Sequence, residues 1–268
     1  MNARAGDLLN GKVALVTGAG SGLGRASAHH MASAGAKIVV ADIDPQGGEQ
    51  TVSDLRKAGH EATFVQVDVT SAEQIQGMVN ATIDSYGRLD VLHNNAGVIA
   101  MHGNVEDASF EEWRRIIDID LNSVFLGCKY GVAALKKSGG GTIINTASRA
   151  GIQGFPNGLH YAAAKAGIVM MTKSLAALLE GDNIRVNSLC PTLVDTNLLK
   201  GMAGATQDAA AARYSPAMLK PDDVGRAVLF LATKADFTGG AVIIEIKPDG
   251  KPKYELAFDY KRVALRGI

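Results

Sequence analysis

The sequence predicts a single α/β domain built around a parallel sheet. Short Val- and Ile-rich runs alternate with helical patterns along the whole chain. Those runs are nearly continuously apolar, as strands covered on both faces must be. A glycine-rich turn, Thr17 to Gly24, joins the first run to the first helical pattern. The chain has 268 residues, enough for one such domain, and no internal linker, low-complexity segment or long repeat divides it.

Taken in order, the strand-like runs are Lys12–Thr17, Ala36–Asp42, Ala62–Asp68, Leu89–Asn94, Gly141–Ala147, Ile184–Leu189 and Gly240–Ile246. A helix over Leu23–Ala34 is expected to stop at Gly35, and one over Gln46–Ala58 at Gly59. Thr70 with Glu73, and Ser109 with Glu112, have the spacing of capping boxes that open two more helices. A further helix falls within Ile152–Leu179. Leu193–Lys220 is less regular and reads as one or two short helices. Pro248-Asp249-Gly250 is a turn signal between Val242–Lys247 and Tyr254–Phe258, so a hairpin-like extension is expected over 247–268.

Basic and acidic residues balance at 27 each, so no global field points to nucleic acid or an anionic membrane. Glycine is abundant, at 31 residues, without a triplet period, which argues for tight turns. Cys128 and Cys190 are too few for a disulfide framework and sit in apolar contexts, as buried reduced thiols do. No apolar run is long enough to span a bilayer, and Met1–Gly11 lacks a secretory signal. A soluble cytoplasmic protein is expected.

The glycine run has the strand–turn–helix context of a dinucleotide-binding turn. Glycines let backbone approach a pyrophosphate, and the helix N-terminus offers free N–H groups. Gly18, Ser21, Gly22, Leu23 and Gly24 are the candidate contacts, although Gly18-x-x-x-Gly22-x-Gly24 differs from the standard spacing. Asp42 closes the second strand run. A carboxylate there accepts hydrogen bonds from a ribose diol and repels a 2′-phosphate, so NAD is preferred over NADP. Asp44 competes for that role but reads better as the cap of the next helix. Arg25, the one nearby cation, reads as a solvated or phosphate-facing residue.

With Asp68-Val69, Asn94-Asn95-Ala96-Gly97, Asn122, Ser148, Tyr161-x-x-x-Lys165 and Pro191 to Thr196 following in order, the chain resembles the short-chain dehydrogenase/reductase family over roughly residues 10 to 246. The resemblance implies a Rossmann-like, seven-stranded parallel sheet with helices on both faces. It implies that Asp68 and Val69 contact the adenine. Asn95, Ala96 and Gly97 would line the cofactor, and Pro191, Val194 and Thr196 would contact its nicotinamide end. Pro191-Thr192 departs from the family's frequent Pro-Gly, and threonine there restricts the backbone. The resemblance also implies a homodimer or homotetramer through helices near Phe110–Leu135 and Gly158–Leu179. The ending is loosely similar to the NAD-dependent hydroxyprostaglandin and insect alcohol dehydrogenases.

The implied chemistry is hydride transfer between NAD and a secondary alcohol or ketone, which needs a group that gives or takes a proton at the substrate oxygen. Tyrosine is a poor base at its usual pKa near 10. A neighbouring ammonium favours the phenolate, and residues four apart on a helix share a face, so Tyr161 and Lys165 can cooperate. Lys165 would also hold the nicotinamide ribose. Ser148 would orient the substrate oxygen, and Asn122 would hold a water linking Lys165 to solvent. Candidate walls for the substrate are Val98–His102, Gly151–His160 and Leu193–Leu219, with Ile152, Phe155, Leu198, Leu199, Met202 and Met218 apolar and Arg213 and Tyr214 polar. They suit a moderately hydrophobic alcohol, with 192–220 as a lid. His29 and His30 read as solvent-facing, and His160 as a pocket candidate. His93 and His102 lack metal-ligand spacing, and no metal is expected. The alternatives are an NADPH-dependent carbonyl or acyl-thioester reductase, which Asp42 opposes, and a non-catalytic dinucleotide sensor, which Ser148, Tyr161 and Lys165 oppose.

Overall fold

The computed structural model describes residues 8–101, 104–156, 158–196, 218–247, 249–258 and 261–264. Its strands are β1 (Val13–Thr17), β2 (Lys37–Asp42), β3 (Ala62–Gln66), β4 (Val91–Asn94), β5 (Gly141–Thr146), β6 (Ile184–Pro191), β7 (Ala241–Ile246), β8 (Pro252–Phe258) and β9 (Lys261–Ala264). They form one nine-stranded sheet in the order β3-β2-β1-β4-β5-β6-β7-β8-β9. Strands β1 to β7 pair in parallel, as a Rossmann-like sheet requires. The strand order reverses beside β1, which has β2 on one flank and β4 on the other. In open α/β sheets that switch point leaves a crevice beyond the carboxyl ends of the strands.

The expected seven parallel strands are therefore extended by two antiparallel ones. The anticipated hairpin is β7–β8, with Ile244 opposite Tyr254 and Glu245 opposite Lys253. Strand β9 then pairs with β8. The extension is built into the core: Tyr254 and Leu256 are buried, and the Tyr254 hydroxyl donates to the Asp223 carbonyl at 3.1 Å.

Helices α1 (Gly22–Ser33), α2 (Pro45–Lys57), α3 (Ala72–Tyr86), α4 (Phe110–Ile117), α5 (Ser123–Lys137), α6 (Leu159–Leu178) and α7 (Pro221–Thr233) cover both faces. On one face, Ala14, Val16, Ile38 and Val40 pack against Met31 of α1, Leu55 of α2 and Val224, Val228 and Leu231 of α7. On the other, Leu15, Val39, Leu92 and Ile143 pack against Ile75 and Met78 of α3, Leu135 of α5 and Ile168 of α6. A fully buried side chain of this size contributes about 1.5–3 kcal/mol. Helices α1 and α7 lie so close that a Cβ on Gly225 would stand 2.4 Å from the His30 ring. His30 Nε2 also meets Asp222 Oδ1 at 2.6 Å, so His30 faces α7 rather than open solvent. His29 is half-buried, and burial holds its imidazole below the usual value.

The helix ends follow the sequence closely. Gly35 and Gly59 have left-handed φ of 98° and 86° just past α1 and α2. Asp44 caps α2, accepting from the Gln46 and Gly47 N–H groups at 3.1 Å each. Ser109 caps α4 by accepting from Glu112 N–H at 3.0 Å. Ser71, not Thr70, caps α3, because the Thr70 hydroxyl donates to Asp68 at 2.7 Å. Helix α6 lies within the expected Ile152–Leu179, and Arg149–Gly151 before it forms a separate short turn. Between α4 and α5 the chain makes one π turn, Asp118–Asn122.

Candidate functional site

Two adjoining clefts open at the switch point. The first, about 390 Å³, is lined by Gly18, Ser21, Gly22, Leu23, Asp42, Asp68, Val69, Asn95, Ala96, Gly97 and Thr196, among others. Most of the residues expected to hold a dinucleotide thus line one space. No lysine or arginine is among the described lining residues. The second, about 510 Å³, shares Leu23, Asn95, Gly97, Val98 and Thr196 with the first and adds Ser148, Tyr161, Lys165, Pro191 and Val194.

The glycine turn is built for close backbone approach. Gly18 and Gly22 have φ of 65° and 51°, where a side chain is strained. A Cβ on Gly24 would stand 2.2 Å from the Gly18 carbonyl oxygen. Thr17 ties this turn to the loop after β4: its hydroxyl accepts from the Asn95 and Ala96 N–H groups at 2.9 and 3.0 Å. Asn95 Nδ2 donates back to the Thr17 carbonyl at 2.9 Å. Asp42 accepts from Gly20 N–H at 2.7 Å and Asp44 N–H at 3.0 Å, which fixes its carboxylate at the cleft edge. Asp68 accepts from Thr70 N–H at 2.9 Å. Arg25 is neither solvated nor aimed at a phosphate. Its guanidinium donates to the Gly20 carbonyl, to Thr51 Oγ1 at 2.9 Å and to the Gly47 carbonyl at 3.3 Å, strapping the turn to α2.

Ser148 follows β5, and its Oγ accepts from Ala150 N–H at 3.1 Å. It also stands beside the Tyr161 phenol, which its hydroxyl helps to ionise. Lys165 is buried, with Nζ 5.4 Å from the Tyr161 ring centroid. It donates to the Thr146 carbonyl at 3.1 Å and pairs with Asp120 Oδ2 at 2.9 Å. Burial pushes the Tyr161 phenol up, the Lys165 ammonium pulls it down, and the Asp120 carboxylate pushes it up again, for a net rise. The lowering expected from Lys165 alone is therefore outweighed.

The structure does not bring Asn122 into this group. Asn122 is exposed, and its amide donates to Asp118 at 2.8 Å. Asp120, two residues earlier, is fully buried and takes the place beside Lys165. Sequence reasoning also missed Arg149 and Glu245, which pair at 2.5 Å and both line the second cleft. Thr192 fits without strain: its N–H donates to Ile244 at 2.9 Å, and Asn183 is the one described non-glycine residue with positive φ. Phe155, Ile99 and Leu193 line the second cleft, whereas Ile152 and Met218 do not. His160 is buried 3.4 Å from Glu112 and beside Trp113, outside the cleft lining. His102, Leu198, Leu199, Met202, Arg213, Tyr214 and most of the lid expected over 192–220 lie outside the described residues.

A family model described as short chain dehydrogenase matches residues 12–206. Cis-4-hydroxycyclohexanecarboxylate dehydrogenase of Sinomonas cyclohexanicum is 36% identical over 240 residues, covering 89% of this chain and 96% of the relative. Cyclohexanol dehydrogenase of Acinetobacter sp. (strain SE19) is 35% identical over 235 residues, covering 87% and 92%. Among solved structures, levodione reductase superposes with a TM-score of 0.84 at 30% identity, covering 88% of this chain and 97% of that one.

Proposed function

Because the chain belongs to the short-chain dehydrogenase family, we propose that it is an NAD-dependent dehydrogenase of ring-bearing, moderately hydrophobic secondary alcohols, working reversibly on the matching ketones. Oxidoreduction of an alcohol or ketone with a nicotinamide cofactor is the family's chemistry. The observation that carries the finer reading is the meeting of Ser148, Tyr161 and Lys165 in a cleft continuous with the glycine-lined one. The ring-alcohol substrates named for two relatives support the substrate class, as do Val98, Ile99, Phe155 and Leu193 along the cleft.

The residues present fit a dinucleotide. A side chain would clash at Gly18 and Gly24 and be strained by the positive φ at Gly22, so the turn leaves backbone to face a pyrophosphate. Asp42 at the cleft edge, with no described cation lining that cleft, supports NAD over NADP. When bound, the nicotinamide accepts or supplies the hydride. Asp68 and Val69 would hold the adenine end, and Pro191, Val194 and Thr196 the nicotinamide end. Ser148 Oγ holds the substrate oxygen and stabilises charge that develops there. The Tyr161 phenol oxygen takes the alcohol proton in oxidation and returns one in reduction. Lys165 keeps a positive charge next to that phenol.

Exposed apolar side chains on α4 to α6, namely Phe110, Phe125, Met170 and Leu178, support a homodimer or homotetramer through those helices. No helix among the described residues is long and apolar enough to cross a membrane. We place the enzyme in the cytoplasm, where Cys128 and Cys190, buried and unpaired, would stay thiols. The test is NAD reduction with cyclohexanol and related ring alcohols, with Tyr161→Phe alongside. Removing the proton-transfer group should cost at least about a hundredfold in kcat while NAD still binds. Tyr161→Phe turning over at the wild-type rate would sink the assignment.

A further inference from the structure

Asp120 is charged, dry and close to the reacting groups, and no role in the mechanism above accounts for it. Its Oδ2 lies 2.9 Å from Lys165 Nζ, with the two side chains 0% and 4% exposed. Its Oδ1 accepts from Val98 N–H at 2.8 Å. A Cβ on Gly97 would sit 3.3 Å from both Oδ2 and Nζ, so the pair fills the space directly under the loop after β4. A carboxylate stays ionised in such a place only with a cationic partner and hydrogen-bond donors. A neutral amide would satisfy Val98 N–H equally well, so that hydrogen bond does not require the charge.

We infer that Asp120 is a positioning residue of the proton-transfer site: its carboxylate is the fixed counter-charge of Lys165, holds that ammonium between the Gly97 loop and Thr146, and so sets the pH range over which Tyr161 works. The inference rests on the dehydrogenase reading. The groups that face Tyr161 and Lys165 are each other on α6, Asp120 from the π turn, Ser148 after β5 and Cys190 on β6. The Cys190 thiol is pushed up to about 12 by burial and carries no charge near neutrality. Asp120 is thus the one anion in that set. By neutralising part of the ammonium's pull on the phenol, it moves alcohol oxidation toward alkaline pH.

Asp120→Asn keeps an acceptor for Val98 and removes the charge. The acid limb of kcat/KM for alcohol oxidation should move down by about one pH unit, a roughly tenfold gain well below the wild-type limb. A limb that stays in place overturns the inference, whatever happens to kcat. Thermal unfolding supplies a test independent of turnover. Lys165→Met strands a buried carboxylate and should lower Tm, and adding Asp120→Asn should restore most of the loss. A double variant that melts no higher than Lys165→Met overturns the pairing. If the wild type oxidises no alcohol, the dehydrogenase reading fails by itself and the unfolding comparison decides the pairing. The same double variant decides it if Asp120→Asn alone does not fold.

Discussion

Gly24→Ala sets two opposing effects against each other at one atom. The new Cβ would stand 2.2 Å from the Gly18 carbonyl oxygen and 2.6 Å from Asn95 Nδ2. Neither can retreat cheaply. Gly18 is backbone at φ 65°, and Asn95 Nδ2 is held by the Thr17 carbonyl at 2.9 Å. Alanine gains about 1 kcal/mol over glycine in a helix. Overpacking costs about 1–3 kcal/mol, and a backbone obstacle belongs at the upper end. The clash wins by roughly 1–2 kcal/mol, which lowers Tm by about 2–8 °C in a chain of this size. Displacing the turn should also weaken NAD binding at least tenfold. Gly77 is the control: it lies inside α3, is exposed, and has nothing within 4 Å of the added Cβ. Gly77→Ala should gain about 0.5–1 kcal/mol and raise Tm by about 1–4 °C, with NAD affinity unchanged. Calorimetric unfolding and isothermal titration with NAD measure both. If Gly24→Ala melts as high as Gly77→Ala and binds NAD like the wild type, the close-approach argument is wrong.

Asp42→Ala should raise the KM for NAD and narrow the NAD-over-NADP ratio of kcat/KM at least tenfold; an unchanged ratio would move cofactor choice elsewhere. Because burial raises the Tyr161 phenol, alcohol oxidation, which needs the phenolate, should climb with pH, while ketone reduction, which needs the protonated phenol, should fall only as pH passes that raised value. Opposed pH–rate profiles check this, and parallel ones would refute it. Burial alone would push the Asp90 carboxyl up, but hydrogen bonds from Arg88, the Val13 N–H and Lys12 together hold it below the usual value. Its contribution to stability is therefore fully present above about pH 4 and lost as pH falls below that. Thermal unfolding from pH 7 to pH 3 should show a drop that Asp90→Asn flattens. Arg25→Ala should loosen the glycine turn from α2 and weaken NAD binding severalfold without moving the pH–rate profile, as titration and kinetics would show.

The parallel sheet and the glycine-lined cleft were legible because their signals are local. An apolar run of Val and Ile between glycines has few alternatives to a buried strand, and the turn from Thr17 to Gly24 carries its meaning in its place between such a run and a helical pattern. The fourth polar member of the site was not legible. The resemblance implied Asn122, but the chain departs from the regular helical period at the π turn Asp118–Asn122, which no local sequence signal marks. Asn122 then faces solvent and Asp120 turns inward. Arg25 was misread for a different reason: its acceptors are backbone carbonyls of Gly20 and Gly47, and no sequence pattern marks a carbonyl as free. The Arg149–Glu245 pair joins residues far apart in sequence, from the turn after β5 and from β7. Strand β9, Lys-Arg-Val-Ala, is too short and too charged to read as a strand by itself.

The contact between α1 and α7 joins a helix made early to one made much later. Until Val224 and Val228 have left the ribosome, the apolar stripe of α1 around Ala28 and Met31 can pack on the sheet alone, and the side of α1 that meets α7 stays uncovered. Non-local closure of this kind is slow and leaves unfinished chains prone to aggregate. A nascent or truncated chain ending before Pro221 would therefore contain every glycine of the turn from Thr17 to Gly24 and leave one side of the helix that follows it bare.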